Sequence, residues 1–460
     1  MRPRTSRLAV TLLTSALLAS ACARGTAAST GSGDTHFDPD ARLSGKLTVM
    51  GFGATDEIGK VRLDQAKAAL GDKVDVKLIE GDLDIQQFLT SVAAGDPPEI
   101  VYADRSQIGT FASRGAILPL DDCINGEGID TAAFRKPALD QVTFEDHVYG
   151  IPEFNVVQVI QANERLLQKA GLGIDDVNGS SWDAVQAANK KLSVTRGGKL
   201  RVIGFDSKLP EFLPLWVKAN GGQMISDDGR TATLDDPAVI EALKFAVGIY
   251  DAQGGFSKVK AFRDSTDFFG EGNQFATDAL GAMPMEQWYI NVLNDVSPDV
   301  DMAFDAVRTR DGDPIAFASG SAWAIPKGSA NPEAACRFAK TMTATDSWVK
   351  AAQARADARA KDGGVFTGVL TGNAEADDKI RQMIQKADDP TWNDAIDATY
   401  EANDHTFSLP ANPAGDEFES AWQDGVNRVL NGQQSPEEAM AQAQEEAQQA
   451  LDDAWAKWDQ

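Results

Sequence analysis

The side chains of this chain that could do chemistry include three histidines, three cysteines and 69 acidic residues. His36, His147 and His405 are far apart and none belongs to an H-E-x-x-H pair, so their spacing argues against a zinc hydrolase. The sequence also lacks a G-x-S-x-G nucleophile turn and a G-x-x-x-x-G-K-[ST] phosphate loop. A glycosidase-type pair of carboxylates stays open, because so many acidic residues make some neighbouring pair inevitable.

Cys22 is a cysteine whose neighbours predict a modification. Three arginines between residues 2 and 7 precede an apolar run over residues 8–19, and Ala19-Ser20-Ala21 leads into Cys22. This arrangement resembles a lipobox, where a signal peptidase cuts before a lipid-bearing cysteine, with Ala19 where Leu is commoner. The apolar run is too short for a permanent membrane span, so residues 1–21 are expected to be a removed signal peptide. The alternative is an ordinary secretory signal with an incidental cysteine, and both predict export.

The charge of the chain limits its partners. The formal net charge is −26, and loss of the signal arginines would make it more negative. Such acidity argues against nucleic acid and against an anionic membrane surface as partners. With 460 residues the chain is too long for one ordinary core, so two or three lobes are expected. Residues 22–44 are rich in Gly, Ser, Thr, Ala and Asp and predict a flexible tether.

Cys123 and Cys336 are the remaining cysteines. Outside the cytosol they could form a disulfide, but the sequence does not show whether their Cα atoms come close enough. Their pairing stays open at this point.

Strand-like and helix-like runs alternate along most of the chain. Strand-like runs cover residues 45–50, 74–79, 100–102 and 322–326, helix-like runs cover 58–70 and 85–94, and the pattern resumes over 148–170, 200–205, 237–250 and 279–285. This alternation predicts α/β layers with parallel strands. Near the end, Ser435, Pro436 and Glu438 predict a capped helix whose apolar face carries Trp455 and Trp458.

Several short segments together resemble a known family. They are G-D-P-P-E-I-V (95–101), F-A-S-R-G-A-I-L-P-L-D-D (111–122), V-Y-G-I-P (148–152), N-E-R-L-L-Q-K-A-G (163–171), G-S-A-W-A-I-P (320–326) and S-P-E-E-A (435–439). In this order they resemble the extracellular solute-binding proteins of family 1, the sugar-binding subunits of ABC importers that include maltose-binding protein. Glu99 stands where the family usually has Asp.

The resemblance implies a periplasmic-binding-protein-like type II α/β fold, with two α/β lobes, a hinge crossed more than once and a ligand cleft between the lobes. It places residues 45–152 and 305–345 in the first lobe and residues 153–304 and 346–460 in the second. It implies a monomer that captures a carbohydrate by hinge closure and delivers it to ABC permease subunits in the membrane. The protein would be held on the extracellular face by lipid at Cys22, and would use no cofactor or metal and break no bond.

Candidate ligand contacts follow from this resemblance and from positions after predicted strands. Carboxylates and amides accept sugar hydroxyl protons, and flat aromatic faces cover the apolar side of a sugar ring. The candidates are Phe52, Asp56, Glu57, Asp104, Arg105, Glu153, Phe154, Asn155, Phe268, Glu286, Trp288 and Trp323. Core packing is the alternative for Trp288 and Trp323, and capping of a turn is the alternative for Asp104.

Two other functions stay open. The same scaffold could bind a polyamine, which needs carboxylates at each end, or a sugar phosphate, which needs clustered arginines and has only Arg105 in support. A secreted glycosidase would need a catalytic carboxylate pair. Turnover of a glycoside would distinguish that enzyme from a binding protein.

Overall fold

The computed structural model describes residues 37–459, so the predicted signal peptide and Cys22 lie outside the described residues. Residues 37–44, at the end of the predicted tether, are mostly exposed but contact the body of the protein at individual residues. Phe37 and Leu43 pack on the apolar core of the first lobe, and Asn331 Nδ2 donates a hydrogen bond to the Ser44 carbonyl at 3.0 Å. Residues 22–44 are polar on average, so their composition did not predict that Phe37 and Leu43 pack on the core.

The described residues form 14 strands and 17 α-helices. The strands are β1 (Gly45–Met50), β2 (Val74–Ile79), β3 (Ile100–Asp104), β4 (Thr143–Phe144), β5 (His147–Val148), β6 (Ile151–Pro152), β7 (Gln158–Asn163), β8 (Val194–Arg196), β9 (Lys199–Phe205), β10 (Leu280–Glu286), β11 (Met302–Ala306), β12 (Ala316–Phe317), β13 (Ser321–Ala324) and β14 (Thr406–Phe407). The helices are α1 (Glu57–Leu70), α2 (Ile85–Ala94), α3 (Arg105–Ser113), α4 (Asp121–Glu127), α5 (Lys136–Asp140), α6 (Glu164–Ala170), α7 (Trp182–Leu192), α8 (Leu213–Ala219), α9 (Pro237–Asp251), α10 (Phe256–Arg263), α11 (Trp288–Val296), α12 (Pro332–Thr343), α13 (Thr345–Asp362), α14 (Ala374–Met383), α15 (Pro390–Asp404), α16 (Gly415–Leu430) and α17 (Pro436–Trp458).

Two five-stranded sheets define the two lobes. The first has the strand order β2-β1-β3-β13-β6, with β1 parallel to β2 and β3 and with β13 antiparallel to both neighbours. The second has the order β11-β7-β10-β9-β8, with β10 parallel to β9 and antiparallel to β7. The α/β layers predicted from the alternating pattern are therefore confirmed. Both sheets also contain antiparallel strands, which the alternating pattern did not predict.

The chain passes between the sheets along two neighbouring stretches, called here the crossover segments. Residues 153–157 connect β6 to β7, and residues 307–320 connect β11 to β13. The segments pair with each other, because the Val156 and Ser319 backbones exchange hydrogen bonds of 2.9 and 3.1 Å. Gly320 has a positive φ of 145° and approaches the Phe154 carbonyl so closely that a Cβ there would clash.

Two segments pack differently from the predicted division into lobes. Strand β11 belongs to the second sheet, although the resemblance places residues 305 and 306 in the first lobe. Helix α13 packs against α1 of the first lobe, although it lies in the stretch assigned to the second. Periodicity identifies the buried face of an element but does not tell which sheet that face covers.

A disulfide joins two helices of the first lobe. Cys123 in α4 is bonded to Cys336 in α12, with the two Cα atoms 5.9 Å apart. The bond settles the pairing that the sequence left open. Both cysteines lie in the same buried cluster as Trp323 and Phe338.

The C-terminal helix has the predicted cap. The Glu438 amide donates to Ser435 Oγ at 3.3 Å, and the Ser435 amide donates to Glu438 Oε2 at 3.1 Å. Its buried face includes Trp455, whose Nε1 donates to the Gly229 carbonyl at 3.0 Å. Across residues 37–459, no helix is both long enough and apolar enough to cross a membrane.

Candidate functional site

A cleft lies between the lobes, and the crossover segments form its floor. The carboxyl end of β3 contributes Asp104 from the first lobe, and the carboxyl end of β10 leads into Trp288 from the second. Val156, Gly320 and Ser321 line both of two adjoining cavities. These three residues form a ridge, and the cleft has one chamber on each side of it. A position between two lobes favours ligand binding.

The first chamber, called here the Trp288 chamber, has a volume of about 330 Å³. The residues that line it are Asp56, Ile58, Tyr102, Phe154, Asn155, Val156, Gln287, Trp288, Ile290, Asn291, Gly320, Ser321, Arg355, residues 367–370 and Thr399. Of the residues predicted from the sequence, it brings together Asp56, Phe154, Asn155 and Trp288.

Trp288 begins helix α11 immediately after strand β10. Its Nε1 donates a hydrogen bond to Glu286 Oε2 at 2.7 Å, which fixes the orientation of the indole. The Phe269 ring lies 6.2 Å away at an angle of 17°, and 63% of Phe269 is exposed. Burial raises the pKa of Glu286, although the hydrogen bond from Trp288 opposes that shift. The result is a partly exposed aromatic surface with a carboxyl group at the edge of the indole ring.

Arg355 forms ion pairs with two acidic residues at the start of α1. Its Nη2 donates to Asp56 Oδ2 at 2.6 Å, and the same guanidinium forms an ion pair with Glu57. Asp56 also accepts from the Gly59 amide at 2.8 Å and so caps α1. Glu57 itself does not line the chamber. Local sequence could not identify Arg355 as part of the site, because it comes from α13, about 300 residues later in the chain.

Arg105 fastens the first lobe to the crossover segments. Its Nη2 donates to Asn155 Oδ1 at 2.8 Å and its Nη1 to the Phe154 carbonyl at 3.2 Å, and it also bonds the Ser319 carbonyl. Burial lowers the pKa of Arg105 to about 10, so the group keeps its charge at neutral pH. Arg105 therefore has a structural role at the floor of the cleft, in addition to lining the second chamber.

The second chamber, called here the Asp104 chamber, has a volume of about 360 Å³. Its lining residues include Asp104, Arg105, Gln141, Glu211, residues 409–412, Phe418, Glu419 and Trp422. Burial raises the pKa of both Asp104 and Glu419, and Asp104 also contributes to the shift of Glu419. Eight of its 18 lining residues come from the loop before α16 and from α16 itself, which sequence reasoning missed because no local motif marks them.

Three predicted ligand contacts are corrected, because the structure places them in the core. Phe52 and Trp323 are 4% and 0% exposed and lie against each other, with ring centroids 5.2 Å apart. Glu153 is 0% exposed and forms an ion pair with the equally buried Arg62. Phe52 and Glu153 follow strands as predicted and Trp323 lies within β13, but the sequence could not show that other elements cover them.

Phe268 does not line either chamber. It stacks on Tyr289, with ring centroids 4.2 Å apart, and contacts Trp288 edge to face, with ring centroids 6.5 Å apart. Among residues 37–459, no group of three or more His, Cys, Asp or Glu side chains is arranged to hold a metal ion.

Comparison with known proteins identifies the family. The family of bacterial extracellular solute-binding proteins matches residues 58–347, which is more than half of the chain. The chain therefore belongs to this family of solute-binding proteins.

Two curated relatives and one solved structure illustrate the likeness. The chain is 23% identical over 292 residues to a maltooligosaccharide ABC transporter solute-binding lipoprotein of Streptococcus pneumoniae, across 60% of the chain and 63% of the relative. It is 22% identical over 175 residues to a lactose-binding protein of Rhizobium radiobacter, across 37% of the chain and 39% of the relative. The chain thus spans less than two thirds of the length of these curated relatives.

The solved structure shows the shared fold over nearly the whole body. It is an ABC substrate-binding protein of Listeria monocytogenes in complex with cycloalternan, with a TM-score of 0.71 and 19% identity. The superposition covers 89% of this chain and 99% of that protein. The type II solute-binding fold expected from the sequence is confirmed.

Proposed function

We propose that this protein captures a carbohydrate in the cleft and delivers it to the permease of an ABC importer. The observation that carries the proposal is the Trp288 chamber, where an oriented indole lies opposite neutral and paired polar groups. Trp288 offers a π face to the apolar side of a sugar ring. Asn155, Gln287 and Asn291 offer amides that can donate to or accept from hydroxyl groups.

The charge balance of this chamber suits a neutral ligand. Asp56 and Arg355 are the two charged residues in the lining of this chamber, and they form an ion pair, so the lining carries no net charge. A sugar phosphate would need several free arginines, and Arg355 is already occupied by two carboxylates. The relatives named above are described as binding lactose, maltooligosaccharide and cycloalternan, which are all saccharides.

Binding would be coupled to closure of the lobes. A ligand that touches Tyr102 and Arg355 on one side and Trp288 and Asn291 on the other stabilises the state in which both sides are close. The permease would recognise that closed state. The paired crossover segments are the elements about which the lobes would turn.

The proposal extends to the location and assembly of the protein. It is a monomer held at the extracellular face by lipid on Cys22, after removal of residues 1–21. The permease subunits are its membrane partners, and the sugar leaves the cleft chemically unchanged. If Cys22 carries lipid, the full chain expressed in a bacterial host should be labelled by radioactive palmitate. The Cys22→Ala variant should not be labelled.

A thermal-shift screen of the lipid-free chain tests the ligand class. The panel contains neutral mono- and oligosaccharides, sugar phosphates and polyamines. A ligand at 100 times its dissociation constant should add about 2.7 kcal/mol of stability. A saccharide hit without hydrolysis of a chromogenic glycoside supports the proposal, whereas hits limited to sugar phosphates or polyamines contradict it.

A further inference from the structure

The Asp104 chamber differs from the Trp288 chamber in its charge. Three carboxylates line it from three separate elements: Asp104 at the end of β3, Glu211 before α8 and Glu419 in α16. Arg105 is the one cation among the lining residues of this described cavity, and it is already bonded to the crossover segments. The chamber therefore has an excess of negative charge.

Two of these carboxylates form no ion pair with any lysine or arginine of residues 37–459, although Arg105 lies within electrostatic range of Asp104. Asp104 forms no ion pair and does not cap α3 with its side chain. Glu419 accepts one hydrogen bond, from the neutral amide of Gln423 at 2.8 Å. Arg114, which does not line the chamber, forms an ion pair with Glu417 at 2.6 Å.

Glu211 contributes less to the uncompensated negative charge of the chamber. Arg263 lies within electrostatic range of it, although Arg263 is itself paired with Asp206 at 3.1 Å. The charge excess therefore depends mainly on Asp104 and Glu419, whose raised pKa values reflect burial and the proximity of other carboxylates.

Two residues in the wall of the same chamber carry a buried polar atom that lacks a hydrogen-bond partner, which is a second observation beside the charge. Gln141 and Trp422 line it and are 5% and 3% exposed. Gln141 Oε1 and Trp422 Nε1 have no hydrogen-bond partner among the described residues. Because an unpartnered buried polar atom is costly, these atoms favour an occupant that supplies both a donor and an acceptor.

An occupant of this chamber must mainly supply hydrogen-bond donors. Two free carboxylates and the Gln141 carbonyl are all acceptors, while an ammonium group has three donors and no acceptor. The aromatic rings of Phe418 and Trp422 line the same space, and aromatic faces also attract a cation. A hydroxyl group satisfies one acceptor but leaves the negative charge uncompensated.

We infer that the carbohydrate carries a protonated amino group, which lies in the Asp104 chamber beside Asp104 and Glu419. This inference rests on the proposed saccharide function and narrows its ligand to amino sugars or oligosaccharides that contain one. The neutral part of the ligand occupies the Trp288 chamber, across the ridge at Val156 and Gly320. A polyamine shares the amine chemistry, but it would leave the aromatic surface at Trp288 without a sugar ring.

Calorimetric titration with matched ligands tests the inference on the lipid-free chain. The pairs are glucosamine and glucose, galactosamine and galactose, mannosamine and mannose, and chitotriose and cellotriose, with N-acetylated chitotriose and spermidine as further probes. We expect an amino form to bind at least about tenfold more tightly than its hydroxyl counterpart. This difference in affinity is the contribution expected from one hydrogen bond between charged groups. N-acetylation should remove that preference because it removes the charge.

Variants of Asp104 and Glu419 test whether these two carboxylates cause the preference for the amino form. Asp104→Asn and Glu419→Gln should each reduce the ratio of amino to hydroxyl affinity about tenfold. The matched control is Asp424→Asn, an exposed acidic residue of the same helix α16 outside the chamber, which should leave the ratio unchanged. Circular dichroism establishes that each variant is folded, and either carboxylate variant alone is sufficient for the test.

The outcomes separate this inference from the proposed function. Neutral saccharides that bind as well as their amino forms, or better, would overturn the inference and leave the proposed function intact. Binding of spermidine without any saccharide would overturn both. Absence of binding by every saccharide, neutral or amino, would contradict the proposed function itself.

Discussion

Trp288 is the residue on which recognition in the first chamber is expected to depend most. Its indole is fixed by the hydrogen bond to Glu286 and lines the cavity while remaining partly exposed. Trp288→Ala should weaken saccharide binding by about 1–3 kcal/mol through loss of the stacking surface. Isothermal titration measures the change, and thermal unfolding should stay near that of the unchanged protein.

A tryptophan outside the cleft provides the control for that variant. Trp458 is also half-buried and packs on Phe144 near the C-terminal end of α17. Trp458→Ala should leave saccharide affinity unchanged. If Trp288→Ala folds normally and binds as tightly as the unchanged protein, Trp288 does not contact the ligand.

Glu153 shows how a predicted ligand contact can instead be a structural residue. It is fully buried with Arg62, whose guanidinium also lies 3.7 Å from the centre of the Trp348 ring. Glu153→Ala leaves a buried arginine without its carboxylate and should lower the free energy of unfolding by about 3–5 kcal/mol. Chemical denaturation measures this loss.

A double variant distinguishes the ion pair from a general packing defect. Arg62→Met combined with Glu153→Leu replaces both charges by apolar side chains and should be less destabilising than Glu153→Ala alone. If Glu153→Ala unfolds as the unchanged protein does but loses saccharide affinity, the structural role assigned to Glu153 is incorrect.

At the scale of elements, the disulfide between α4 and α12 should stabilise the first lobe. The two cysteines are separated by 213 residues, so the bond restricts a long stretch of the unfolded chain. Replacing both by alanine should cost about 2–4 kcal/mol. Unfolding midpoints with and without reductant measure the effect, and reductant should no longer change the midpoint of the double variant. An equal midpoint for the reduced and oxidised protein would contradict this role.

Local sequence predicted many elements well. The predicted boundaries of β1, β2 and α2 coincide with the observed ones, and the cap of α17 follows from Ser435 and Glu438. Each depends on hydrophobic alternation, helical periodicity or a capping residue close in sequence. Strand β3 extends two residues beyond its predicted end, because pairing with β13 continues to Asp104.

The candidate site was predicted less completely, since it is assembled from distant segments. Trp288 and Asn155 follow strands and could be proposed from their positions, and the structure places both in one chamber. Arg355 and Trp422 come from helices whose own sequence gives no sign of the cleft. Phe52 and Trp323 show the reverse case, because α12 and its Phe338 cover them in the core.

For the whole molecule, the proposed mechanism predicts a change of shape on binding. A saccharide that contacts both walls of the cleft favours the closed arrangement of the lobes. Small-angle X-ray scattering should therefore give a smaller radius of gyration at saturating ligand than without it. A scattering curve that stays the same at full occupancy would contradict closure, although not binding.

Binding without turnover is the central claim, and isothermal titration of the lipid-free chain with the best saccharide of the screen tests it most directly. The account predicts reversible binding at one site per chain, with the saccharide recovered unchanged after the titration. Binding should weaken in Trp288→Ala and not in Trp458→Ala. Absence of binding by any saccharide, or recovery of hydrolysed saccharide, would contradict the account.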